Sequence, residues 1–159
     1  MIDAQELAHW RAAPPVELVD HLMEAYHAPL REGLPRLAAM IARARPPGPE
    51  GDAILKCFET LSNELDHHIH HEEVALFPVV RAGQKVVEGR GLWGLRAEHA
   101  GTAAGLHDLA RLTHGYAVPD GATPAWRACL EGLRNLDEAT QDHMKLEDEV
   151  LLPAVVAAP

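Results

Sequence analysis

An antiparallel up-down four-helix bundle, all-α, is what this sequence predicts, on three observations. Apolar residues recur at steps of three and four through four long segments. Clusters of proline and glycine separate those segments. Aromatics are only 4% of the chain, Ala and Leu abound, and no β-branched run alternates with polar residues, so the local preference is helical. At 159 residues the chain fits one domain, taken as residues 1–159, that can bury a core without staples.

Pro14-Pro15 opens the first helix and the breaker cluster Arg45 to Gly51 closes it. Its expected seam runs Val16, Asp20, Met23, His27, Leu30, Leu34, Leu37, Ile41. Pro29 and Pro35 interrupt its hydrogen-bond ladder, which predicts a kink or bulge just past His27. Asp52 is the expected N-cap of the second helix. The seam there reads Ile54, Phe58, Leu61, Leu65, His68, Glu72, Leu76, Val79, weakening near Pro78 and ending around Gly83. The third runs through Leu92, Leu95, His99, Thr102, Leu106 and Leu109 and stops between Gly115 and Pro119. Thr123-Pro124 reads as an N-cap followed by proline at the first helical position. The fourth seam is Trp126, Leu130, Leu133, Leu136, Thr140, His143, Glu147, Val150, with fraying expected beyond Pro153.

A formal charge of -10 argues against nucleic acid as a partner, because displacing counterions from phosphates needs a basic stripe. It disfavours an anionic membrane surface for the same reason. Cys57 and Cys129 form no C-x-x-C pair and read as small buried hydrophobes in a reducing compartment. The N-terminus lacks a basic n-region and an apolar h-region, and no run of about 18 apolar residues occurs, so a soluble, cytoplasmic protein is expected.

The chemistry lies in an internal repeat. His68-x-x-x-Glu72 is followed by Leu76-Phe77-Pro78, and His143-x-x-x-Glu147 by Leu151-Leu152-Pro153, at identical offsets. Each block is preceded by a lone seam histidine, in Tyr26-His27-Ala28 and Glu98-His99-Ala100, so the chain reads as two copies of a helix pair. Residues four apart share a helix face, which lets each block aim an imidazole and a carboxylate at one point. One such pair is ordinary surface decoration, whereas two on core seams, each with a matching third histidine, predict a metal centre. Two buried carboxylates would each cost several kcal/mol uncompensated, and cations compensate them. His27, His68, Glu72, His99, His143 and Glu147 are therefore the candidate ligands. Two histidines per ion with both carboxylates bridging suits two iron ions, with manganese or zinc as alternatives. His9, His107 and His114 read as surface residues, and so do most of His67, His70 and His71, with one of these three as a candidate support behind a ligand. His21 is expected on the surface or behind a ligand. Tyr26 and Glu98 are expected to pack or be solvated, with modulation of the site as the alternative for either, and Glu73 and Asp148 to point partly away from the seam.

At these residues, together with Trp10-Arg11-Ala12, Asp20-His21-Leu22, Leu34-Pro35-Arg36-Leu37 and Trp126-Arg127-Ala128, the chain resembles the hemerythrin-like cation-binding family. Within it the chain is more similar to the branch called repair-of-iron-centres proteins. The resemblance covers nearly the whole chain and implies a hemerythrin-like bundle. It implies four histidines as terminal iron ligands, Glu72 and Glu147 as bridges, a response to nitric oxide and oxidative stress, and restoration of iron–sulfur clusters. Two departures stand out: the branch's N-terminal domain with an adjacent cysteine pair is expected to be absent, and Ala44 to Pro49 lacks a histidine that the branch supplies near there. Oxygen-carrying hemerythrins are also similar, but have a further histidine where this chain has Ala103, and use a His-x-x-x-x-Asp spacing that makes Asp148 a rival to Glu147.

The expected function is thus a di-iron protein that binds or reduces nitric oxide or dioxygen-derived species, with nitric oxide reductase-like redox activity and iron–sulfur proteins as partners. The alternative is a sensor or store for gas or iron without turnover. Leu65, Leu95 and Leu136 are the expected apolar wall. A hydrolytic two-metal site ranks last, since no general base or substrate loop is evident.

Overall fold

The computed structural model describes residues 2–86 and 89–157, apart from the side chains at 90 and 91. The fold is all-α, a bundle of four helical rods. A short helix α1, Ala4–Ala12, precedes the bundle and is capped by the Asp3 side chain, which accepts from the Glu6 amide; the sequence reading did not anticipate it. The first rod is α2, Pro15–Leu22, a π-helical turn Met23–His27, and α3, Ala28–Ala44. The second is α4, Pro49–His71, a π turn Glu72–Leu76, and α5, Phe77–Arg81. The third, α6, Arg90–Leu112, is unbroken. The fourth is α7, Pro124–Leu146, a π turn Glu147–Leu151, and α8, Leu152–Val155.

Each π turn lies at a fixed offset from a proline: Pro29, Pro78 and Pro153 all stand two residues past the turn's end. The turns close through the Ala28, Phe77 and Leu152 amides, which donate to Met23, Glu72 and Glu147 carbonyls five residues back. Proline has no N–H, so the ladder returns to four-residue spacing there without orphaning a donor. His99 is followed at the same offset by Gly101, and α6 carries no π turn, which is where the two halves of the repeat differ.

A π turn adds one residue, and the seam shifts by one across it. The step from buried Leu22 to buried His27 is five. Counting back from His27 in α-helical steps therefore misplaced the start of the seam: Leu18, Val19 and Leu22 face inward, while Val16 and Asp20 are exposed. Beyond the second turn Phe77 and Val80 are buried and Val79 only half-buried, for the same reason. The α4 cap also differs from expectation. Gly48 caps it at φ 95°, a left-handed conformation suited to glycine, while Asp52 lies in the first turn and accepts from Arg45 Nη2 at 2.8 Å. Thr123 caps α7 as expected, its side chain accepting from the Trp126 amide.

The core falls into two apolar clusters. One gathers Leu18, Leu22, Phe77, Val80, Leu92, Leu95, Leu146 and Leu151, and the other Leu34, Ile41, Phe58, Leu65, Leu106, Leu109, Leu130 and Leu133. The first rod runs from the former to the latter, the second returns, the third repeats the first and the fourth returns, so consecutive rods alternate in direction. On every rod the stretch between the two clusters carries a buried histidine, joined on the second and fourth rods by a buried glutamate. Cys129 is buried and Cys57 half-buried, both free thiols raised in pKa by burial. No helix among the described residues is long and apolar enough to cross a membrane.

Candidate metal centre

The six residues singled out from sequence converge in the polar layer between the apolar clusters. His68, Glu72, His143 and Glu147 have no exposed surface, His27 is 1% exposed and His99 5%. Their donor atoms form two groups of four: His27, His143, Glu72 and Glu147 in one, and His68, His99, Glu72 and Glu147 in the other. Both carboxylates belong to both groups. Each histidine pair joins adjacent rods from different halves of the repeat, first with fourth and second with third.

The spacings are those of ligand atoms around an ion. His27 Nε2 and His143 Nε2 stand 3.0 Å apart, His143 Nε2 and Glu147 Oε1 2.8 Å, and His99 Nε2 and Glu147 Oε2 3.2 Å. Glu72 Oε2 lies 3.4 Å from both His27 Nε2 and His68 Nε2. Neighbouring donors each about 2.1 Å from one ion are separated by about 3.0–3.4 Å, for octahedral to tetrahedral angles. Both Glu72 oxygens, Glu147 Oε2, His68 Nε2 and His99 Nε2 are buried without a hydrogen-bond partner. Orphaned polar atoms on this scale are costly, and a cation bound to them removes the cost. The donor set thus fits two divalent ions, and the two clusters are consistent with a di-iron centre.

Outer carboxylates hold three of the four rings. His27 Nδ1 faces Glu73 Oε1 at 3.0 Å, His68 Nδ1 faces Glu98 Oε2 at 3.3 Å, and His99 Nδ1 faces Asp148 Oδ1 at 3.0 Å. With Nδ1–H donating outward, the Nε2 lone pair is directed inward. Burial works against ionisation of Glu73, yet hydrogen bonds from Arg31 and His27 keep its pKa below the usual range; His71 and His68 do the same for Glu98. Glu73 and Asp148 do point partly away from the seam, as expected, and with Glu98 they reach the outer Nδ1 atoms from there. The signal was present in sequence as a second acid beside each ligand, in Glu72-Glu73, Glu98-His99 and Glu147-Asp148. Glu147 enters the clusters and Asp148 supports His99, so the two acids take separate positions.

His143 is the exception: its Nδ1 is buried without a partner and the Tyr26 ring stacks on it at 5.6 Å. His21 sits behind, 5.7 Å from Tyr26 and stacked on Trp10 at 4.5 Å, outside both clusters. Burial raises the Tyr26 phenol to about 12 and lowers His21. Within the metal-free centre burial opposes protonation of His99 and His143, but Asp148 and Glu147 raise His99 to about 10, and Glu147 with Glu72 raises His143 to about 10. Burial likewise opposes ionisation of Glu147, and His143 and His99 hold its pKa well below the usual carboxylate range.

A cavity of about 130 Å³ lies beside the clusters, lined by Ala75, Leu76, Val79, Val86, Leu92 and Leu95, with His71 and Glu72 as its polar members. Leu95 is thus on the expected apolar wall. Leu65 is buried in the neighbouring core cluster, and Leu136 lines a separate outer groove between α3 and α7. His9, His107 and His114 are exposed, as expected.

Comparison with known proteins agrees with this geometry. Residues 18–155 match the hemerythrin HHE cation binding domain. The iron-sulfur cluster repair protein YtfE of Escherichia coli O157:H7 is 32% identical over 154 residues, spanning 93% of this chain and 69% of that protein. Proteins of the same name from Escherichia coli strain K12 / DH10B and Shigella boydii serotype 18 are 31% identical over the same shares.

Proposed function

The chain belongs to the hemerythrin HHE cation-binding family, and on that premise we propose that it carries a di-iron centre that binds or reduces nitric oxide or dioxygen-derived species. His27 and His143 would hold one ion and His68 and His99 the other, with the Glu72 and Glu147 carboxylates available to both. The observation that carries it is the sharing of both fully buried carboxylates by two four-donor clusters. Imidazole and carboxylate donors with unfilled positions suit iron, and manganese or zinc accept the same set.

Bound iron supplies redox-active positions at which a small gas can be held. The chain's own contribution is orientation and exclusion. Glu73, Glu98 and Asp148 fix three imidazoles with Nε2 inward. Leu76, Leu92 and Leu95 line a cavity that reaches Glu72, sized for a small uncharged molecule and poor in polar partners for water. The iron–sulfur repair role named for the relatives comes to this chain within the same proposal, with iron–sulfur proteins as its partners.

The test is to load the protein with iron, reduce it without oxygen and add nitric oxide. Release of nitrous oxide supports turnover. Reversible spectral change without product makes the protein a gas-binding module, and zinc in place of iron after growth in iron-replete medium overturns the redox reading.

A further inference from the structure

Outside the buried clusters, α4 carries three further histidines, His67, His70 and His71. His67 and His71 are one turn apart and share a helix face. Both direct Nδ1 to the Glu98 carboxylate on α6, at 3.7 Å and 3.1 Å respectively. Two imidazoles and a carboxylate on two helices supply the donor types of the facial set that first-row divalent cations accept, brought to ligand spacing once His67 turns. This set is open where the inner one is closed: the side chains of His67, His71 and Glu98 are 74%, 34% and 23% exposed. The two rings lie 6.3 Å apart, and His67 is exposed enough to turn inward onto an ion while water fills the remaining positions.

We propose that His67, His71 and Glu98 form a third, solvent-facing cation site that captures divalent metal and passes it to the buried centre. The Glu98 carboxylate that faces His71 also faces Nδ1 of His68, so one side chain belongs to the outer set and to the support of the inner one. His71 further borders the cavity that reaches Glu72. A centre whose donors are at least 95% buried needs a place where a hydrated ion exchanges water for protein ligands before going inside. The chain's charge of -10 enriches cations at the surface where this exchange occurs. The capture step stands on the outer residues alone, whereas delivery rests on the di-iron reading above.

The experiment uses Co²⁺ as a spectroscopic probe on wild type and on His67→Gln, whose side chain is 74% exposed and lies outside the buried clusters, with folding checked by circular dichroism. Iron-loaded wild type takes up one further Co²⁺ per chain, and the variant binds it at least about tenfold more weakly with its iron content unchanged. In metal-free protein the variant fills the buried centre about tenfold more slowly, to the same final content. Equal uptake of the extra ion by both proteins, or none by wild type, overturns the capture site. Extra-ion binding with identical filling rates overturns the delivery role. If wild type binds Co²⁺ only through His67 and His71 and takes up no buried iron, capture stands and the di-iron reading fails.

Discussion

Replacing Glu147 with glutamine keeps the side chain's shape but removes a charge that both clusters share. The carboxylate is fully buried, with Oε1 2.8 Å from His143 Nε2 and Oε2 3.2 Å from His99 Nε2. Losing a carboxylate that only supports a ligand costs metal sites about 10–100-fold in affinity, or about 1.4–2.8 kcal/mol. On the proposed di-iron reading Glu147 touches the ions directly, so its loss is expected to exceed about 100-fold, at both ions together. Competition with a chromophoric chelator, using Co²⁺ or anaerobic Fe²⁺, measures this. Glu147→Gln should lose both ions in one concentration range, whereas His27→Ala should empty one position well before the other. Two ions bound to Glu147→Gln as tightly as to wild type would refute the shared-carboxylate geometry.

Asp148→Asn should keep two ions at saturation but bind them about 10–100-fold more weakly, because Asp148 only holds the His99 ring; chelator competition separates it from Glu147→Gln. Metal binding at pH 7 should release protons, since His99 and His143 are raised to about 10 in the metal-free protein and must shed them to bind. Affinity should therefore rise with pH up to about 10, and calorimetry in buffers of different ionisation enthalpy reads the release; an enthalpy independent of buffer would contradict it. Gly51→Ala drives a Cβ into the Pro46 carbonyl oxygen and should destabilise by about 1–3 kcal/mol in urea unfolding. Gly33→Ala, with nothing within 4 Å, should stabilise α3 by about 0.5–1 kcal/mol.

The four rods and the layer that carries the candidate ligands were legible because two signals coincided, the helical period and the duplicated His-x-x-x-Glu. Residues on α6, an unbroken helix, fell on the expected seam at Leu92, Leu95, His99, Thr102, Leu106 and Leu109. Errors gathered where the backbone departs from that period. Val16 and Asp20 were placed on the seam because a π turn is invisible to a count in steps of three and four, although its proline marker, Pro29, was read as a perturbation. Glu73, Glu98 and Asp148 were noticed but not given partners for a different reason: periodicity reports which face a residue is on, and these acids reach Nδ1 from the edge of the inward face. Asp52 satisfied the capping rule, yet Gly48 took the cap, because the Pro46-Pro47 segment turns through a left-handed residue just before Pro49.

Anomalous diffraction from crystals of the protein loaded with Fe²⁺ in the absence of oxygen tests the central claim most directly. Two iron peaks per chain are predicted, one against His27 and His143, the other against His68 and His99, with Glu72 and Glu147 reaching both. A single peak, a peak away from these side chains, or no peak from iron-saturated protein would contradict it.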